Sequence, residues 1–88
     1  MGRYKLAFKK SVARDLRALP GKDVHRILKC FEQLAENPRP AGCEKLSGQE
    51  RYRLRQGVNR IVYEILDDVL KIVVAKVGHR RDVYKVKR

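Results

Sequence analysis

Acidic residues are scarce in this chain of 88. Ten Asp and Glu stand against 22 Lys and Arg, a formal net charge of +12. So large a surplus has to sit on the surface, and it points to a polyanionic partner: nucleic acid, an anionic membrane or an acidic protein. Long apolar runs are missing too. Nothing approaches the roughly 20 apolar residues that a membrane-spanning helix needs. The start, Met1-Gly2-Arg3-Tyr4-Lys5, has no apolar stretch behind it, so no signal peptide is expected. The only cysteines, Cys30 and Cys43, are too few for a disulfide scaffold and lack CxxC spacing. Together with His25 and His79 they show no ligand spacing, so neither a metal nor a cofactor is expected. A reducing, cytoplasmic setting follows from this cysteine usage. There are no repeats, no low-complexity tracts, no G-x-S-x-G elbow, no P-loop and no H-E-x-x-H.

Against these absences, 43% of the residues are hydrophobic, enough for a core despite the charge. One compact domain over residues 1–88 is expected. Tyr4, Leu6 and Phe8 alternate with Arg3, Lys5 and Ala7, the period of a strand with one buried face. Ser11 is placed to cap a helix, whose stripe is Val12, Leu16 and Leu19 and which Pro20-Gly21 stops. A longer stripe follows through Val24, Ile27, Leu28, Phe31, Leu34 and Ala35, up to Asn37-Pro38. The short link between the two stripes predicts a helical hairpin.

Residues 38–50 read as a polar connection. Strict alternation then returns, with Tyr52, Leu54 and Gln56 on one face and Arg51, Arg53 and Arg55 on the other. Gly57-Val58-Asn59 reads as a turn, 60–66 as a strand, and Asp67-Asp68 as a tight turn. A nearly continuous apolar run from Val69 to Val77 reads as the central strand, broken by Gly78. The predicted architecture is α+β in the order β-α-α-β-β-β. It has a four-stranded antiparallel sheet, the helical hairpin on one face, and a short basic segment at the end.

The charge concentrates on the face away from the helices. Arg51, Arg53, Arg55 and Arg60 lie within ten residues, with no acidic residue among them. A turn over 56–59 would set Arg55 opposite Arg60, and like charges across a ladder destabilise it. An anion held between them would offset that cost. Guanidinium forks match phosphate oxygens two at a time. A chain swinging back after Gly78 would bring Arg80 and Tyr84 to the same place. The plain alternative is a solvated basic face, with Tyr84 packed and His79 an ordinary surface imidazole.

Catalysis on such a face would use Arg, Lys, Tyr or His on an anionic substrate. RNA cleavage fits, because the 2′-hydroxyl of RNA is a built-in nucleophile. The protein need only orient that hydroxyl, move protons and stabilise charge on phosphorus. Arginine is a poor base because its guanidinium keeps its proton at any working pH. Tyr84 among cations is a better candidate, since positive neighbours favour its phenolate.

Three stretches together resemble the RelE branch of the RelE/ParE toxin superfamily. They are Tyr52-Arg53-Leu54-Arg55 with Gly57, Arg60-Ile61-Val62-Tyr63-Glu64, and Val77-Gly78-His79-Arg80-Arg81-Asp82-Val83-Tyr84. Asn37-Pro38 and Lys45-Leu46-Ser47-Gly48 fit the same pattern. The resemblance implies the toxin of a type II toxin–antitoxin pair, one that enters the A site of the 70S ribosome and cuts mRNA without a metal. It implies catalytic roles for five residues. Arg53 and Arg55 would bind phosphate and assist proton transfer, and Arg60 would stabilise the transition state. Arg80 would act on the phosphate or leaving group, and Tyr84 would stack on a base or move a proton. Arg51, His79, Arg81, Lys85, Lys9 and Lys10 would grip RNA.

The implied partner is an acidic RelB-like antitoxin, with DNA met only through it and no membrane. Many relatives carry Gly-Asp-Tyr-Arg where this chain has Gly57-Val58-Asn59-Arg60, so an aromatic beside the arginine is missing. Two other readings stand beside this one: a ParE-like, non-enzymatic inhibitor of DNA gyrase, and an inactive RNA- or ribosome-binding module.

Overall fold

The computed structural model describes residues 3–46 and 51–79. The chain runs through β1 (Lys5–Phe8), α1 (Lys10–Arg17), α2 (Gly21–Glu36), β2 (Glu44–Lys45), β3 (Arg51–Gln56) and β4 (Asn59–Leu66). A single 3₁₀ turn (Asp67–Val69) then leads into β5 (Lys71–His79). The sheet has five strands in the order β1-β5-β4-β3-β2.

The helices carry most of the stripes that the spacing predicts; Leu28 is the exception, 47% exposed, and Cys30 turns to the core in its place. Val12 of α1 and Ile27, Cys30, Phe31 and Leu34 of α2 pack on Tyr52, Ile61, Tyr63, Ile65, Ile72, Val74 and Val77 of the sheet. Those sheet residues share one face, so the opposite face carries Arg51, Arg53, Arg55 and Arg60. Burial of the large apolar side chains contributes about 1.5–3 kcal/mol each. Tyr63 has no exposed surface, and its hydroxyl donates to the Pro38 carbonyl at 2.8 Å. That bond fixes the chain where it leaves α2.

The expected four-stranded antiparallel sheet needs two corrections. β1 pairs with β5 in parallel, Leu6 opposite Ile72 and Phe8 opposite Val74. Alternation reports which side chains are buried and is blind to strand direction. The fifth strand, β2, forms inside the supposed polar connection, with Glu44 opposite Arg53 and Lys45 opposite Tyr52. Two residues are too short a run to carry a period.

The central strand is β4, flanked by β5 and β3, and its residues from Asn59 to Tyr63 are all buried. β5 starts later than expected because Val69 lies in the 3₁₀ turn, and Leu70 follows it in the left-handed region at φ 51°. Gly78 does not break β5. It stays in the strand opposite Arg60, where a residue without a side chain leaves room beside a buried guanidinium.

Ser11 is not a cap either. Lys9 holds that position, because its N–H is bonded to the Val74 carbonyl at 3.0 Å and the helix begins at the next residue. β1 pairs only as far as Val74, and beyond it the edge of β5 is covered by α1. Asp15 accepts from the Val77 N–H at 3.1 Å and from Lys76 Nζ at 3.4 Å.

At the other end of the sheet, Arg39 ties the elements together. Its guanidinium meets Asp67 at 2.9 Å, donates to the Tyr52 hydroxyl at 3.3 Å and lies 5.4 Å from that ring's centroid. Tyr4 donates to the same Asp67 at 2.7 Å. Bonds from Arg39 and then Tyr4 hold the Asp67 carboxyl below its ordinary range.

Candidate nucleic-acid interface

The β3–β4 hairpin turns in two residues. Gln56 pairs with Asn59, leaving Gly57 and Val58 at the tip. Gly57 takes φ 63°, and the positive φ at the first central position is the pattern of a type II′ turn, which matches strand twist. Once the turn is set, every pair follows: Arg55 opposite Arg60, Arg53 opposite Val62, Arg51 opposite Glu64. The guanidinium-bearing residues Arg51, Arg53 and Arg55 therefore line one face of β3, with Arg60 beside them on β4.

They are not equally placed. Arg55 is exposed, Arg51 and Arg53 are half-buried, and Arg60 is only 6% exposed. The face is thus less open than the sequence suggests, and its deepest cation is on the central strand. The row Arg55–Arg60–Gly78 crosses three strands.

Among the described residues, two carboxylates join the arginines. Glu64 accepts from Arg51 Nε at 3.0 Å. Glu44, carried in on β2, accepts a hydrogen bond from Arg53. That bond, helped by the charges of Arg53, Arg55 and Arg60, keeps the Glu44 carboxyl below its ordinary range, so it is ionised at neutral pH. Glu64 was computable from the turn, since each pair in the hairpin has the same sum of residue numbers. Glu44 carried no such signal.

The other sequence candidates fall in two groups. Lys9 and Lys10 sit exposed where β1 meets α1. All of β5 separates β1 from β4, about 10 Å at the usual strand spacing, so these lysines do not join the cluster. His79 ends β5 with its backbone opposite Asn59. Arg80, Arg81, Tyr84 and Lys85 lie outside the described residues, as do Ser47 and Gly48. Among the described residues no group of three or more His, Cys, Asp or Glu could hold a metal, and no helix is long and apolar enough to cross a membrane.

What this arrangement can do is bind anions. Fixed cations around a buried arginine stabilise negative charge without reorganising when it develops. Cys30 does no such work. Burial raises its thiol above the ordinary range, and it donates to Gln56 Oε1 at 2.9 Å on the helix side.

The family described as the ParE toxin of the type II toxin–antitoxin system parDE matches residues 6–84. A Methanocaldococcus jannaschii protein named as the toxin RelE1 is 30% identical over 87 residues, covering 94% of this chain and 97% of the relative. Toxin RelG of Mycobacterium tuberculosis is 29% identical over 86 residues, covering 93% and 97%. Among solved structures, the archaeal RelE–RelB complex from Pyrococcus horikoshii superposes with a TM-score of 0.80 at 28% identity, covering 91% of this chain and 97% of that one.

Proposed function

The chain belongs to the RelE/ParE superfamily as a RelE-type toxin of a type II toxin–antitoxin system, and from that premise we propose that it is a ribosome-dependent mRNA endonuclease. One observation carries the reading. Four arginines share one sheet face around the hairpin, and one of them, Arg60, is buried on the central strand beside another cation. A fold bears that cost more readily when an anion is bound there.

In the proposed reaction the 2′-oxygen attacks the adjacent phosphorus and the P–O5′ bond breaks. A proton leaves the 2′-hydroxyl and another reaches O5′, giving a 2′,3′-cyclic phosphate and a 5′-hydroxyl. Arg53 and Arg55 hold the phosphate in line. Arg60 stabilises the extra charge on phosphorus as it develops. Arg80 serves the phosphate or the leaving oxygen, and Tyr84 stacks on a base or moves a proton. These last two roles rest on the family resemblance alone. Arg51, His79, Arg81, Lys85, Lys9 and Lys10 grip RNA, Arg51 with its charge shared with Glu64. The reaction needs no cofactor.

The partner is an acidic antitoxin of the RelB kind, the protein bound to RelE in the Pyrococcus horikoshii complex. Opposite charge would steer their association. The setting is the cytoplasm, where translating ribosomes supply the substrate.

The chain matches the ParE toxin family over residues 6–84, which favours a second reading, gyrase inhibition by binding. Induction in cells, followed by mapping of mRNA 5′ ends, separates the two. Codon-phased cuts within translated frames support cleavage. Intact mRNA with DNA damage supports gyrase inhibition and overturns the endonuclease.

A further inference from the structure

Glu44 sits at the edge of the sheet on a strand of two residues, opposite Arg53. Its carboxylate accepts a hydrogen bond from the Arg53 guanidinium. Arg55 and Arg60 act on it through their charge. The two carboxylates on this face among the described residues are held differently. The Glu64 side chain is 27% exposed and rises from the central strand, whereas that of Glu44 is 61% exposed and rises from the edge. Arg53 itself is only 21% exposed. Glu44 can therefore rotate into solvent without disturbing the core, while Arg53 stays where it is.

A carboxylate and a phosphodiester offer a guanidinium the same thing: oxygens carrying one negative charge, in hydrogen-bond geometry. Both cannot occupy the same donors on Arg53. We propose that Glu44 is a tethered anion that occupies Arg53 in the free protein and exchanges with a phosphate of the RNA when it binds. The proposal rests on the reading of these arginines as a phosphate site. Binding at Arg53 is then an exchange of one anion for another. A lone phosphate gains little from it. An RNA chain gains through its further phosphates on Arg55 and Arg60, so the exchange disfavours small anions and favours a polymer.

The test is binding of a fluorescein-labelled 2′-O-methyl RNA octamer, which has no free 2′-hydroxyl to attack, by the full-length protein across 50–300 mM salt. Wild type is compared with Glu44→Gln, Glu44→Ala and Arg55→Ala, each checked for its melting transition. Both Glu44 variants should bind about two- to fivefold tighter at low salt. The slope of log K against log salt should not change, because the exchange leaves the same phosphates bound in every complex; a slope steeper by roughly 0.7 in the Glu44 variants, one more phosphate contact on a single strand, would mean that Glu44 stays on Arg53 in the wild-type complex and overturns the exchange. Unchanged or weaker binding by both Glu44 variants, with binding lost in Arg55→Ala, overturns the exchange and leaves the phosphate site standing. Arg55→Ala binding like wild type overturns the phosphate site itself.

Discussion

Arg55 and Arg60 face each other across the β3–β4 ladder, one exposed and the other 6% exposed on the central strand. Two cations in register work against folding, and that relation sets up the first prediction. Arg55→Thr removes the repulsion and places a β-branched residue in a strand. It should raise stability by about 0.2–1 kcal/mol in denaturant titration, while proposed cleavage falls. A variant both less stable and fully active would contradict the assignment.

Arg60 is the residue on which charge stabilisation is proposed to depend. Arg60→Ala should lower cleavage by about 10²–10³, the usual cost of one transition-state donor. Arg60→Lys should recover only part of it, because an ammonium lacks the planar fork. Both variants should still bind antitoxin, measured by co-purification. Full toxicity of either in cells would remove Arg60 from the site.

Asp15 holds the open edge of β5 through the Val77 N–H and Lys76. Asp15→Ala leaves that N–H without its acceptor and should destabilise the fold by about 1–3 kcal/mol. Activity per folded molecule should not change. Equal melting temperatures for the two proteins would show that the contact contributes nothing.

Asp67 supplies a dependence on acid. Its carboxyl is depressed in the folded protein by Arg39 and Tyr4. A depressed carboxyl contributes stability that is present above its unfolded value of about 3.9 and is lost as pH falls through the lower folded value. The stability gap between wild type and Asp67→Asn should therefore be constant from neutral pH down to about pH 5 and narrow towards pH 3. Glu44 is depressed as well, so the acid limb should persist in part in Asp67→Asn. A gap that does not change with pH would dismiss the Arg39–Asp67 pair as a stabilising contact.

The helices and the hairpin are legible in the sequence for a physical reason. Val12, Ile27, Phe31 and Leu34 recur at helical spacing because one face must leave water. Tyr52 and Leu54 alternate with arginines because the two faces of the sheet differ. The Arg55–Arg60 pairing needed only the turn. What stayed hidden depends on contacts distant in sequence. The direction of β1 is decided by where the helical hairpin returns the chain. β2 is too short to carry a pattern, so Glu44 could not be placed on Arg53. Asp15 covers the β5 edge only because β1 stops pairing at Val74, a relation between residues 62 positions apart that no local pattern carries.

The most direct measurement is cleavage by the purified protein of an mRNA held in the ribosome with an open A site, beside the same mRNA free in solution. The account predicts a single cut at the A-site codon leaving a 2′,3′-cyclic phosphate, absent with Arg60→Ala and far slower on free mRNA. Equal cutting of the free mRNA, or no cut on the ribosome, would contradict it.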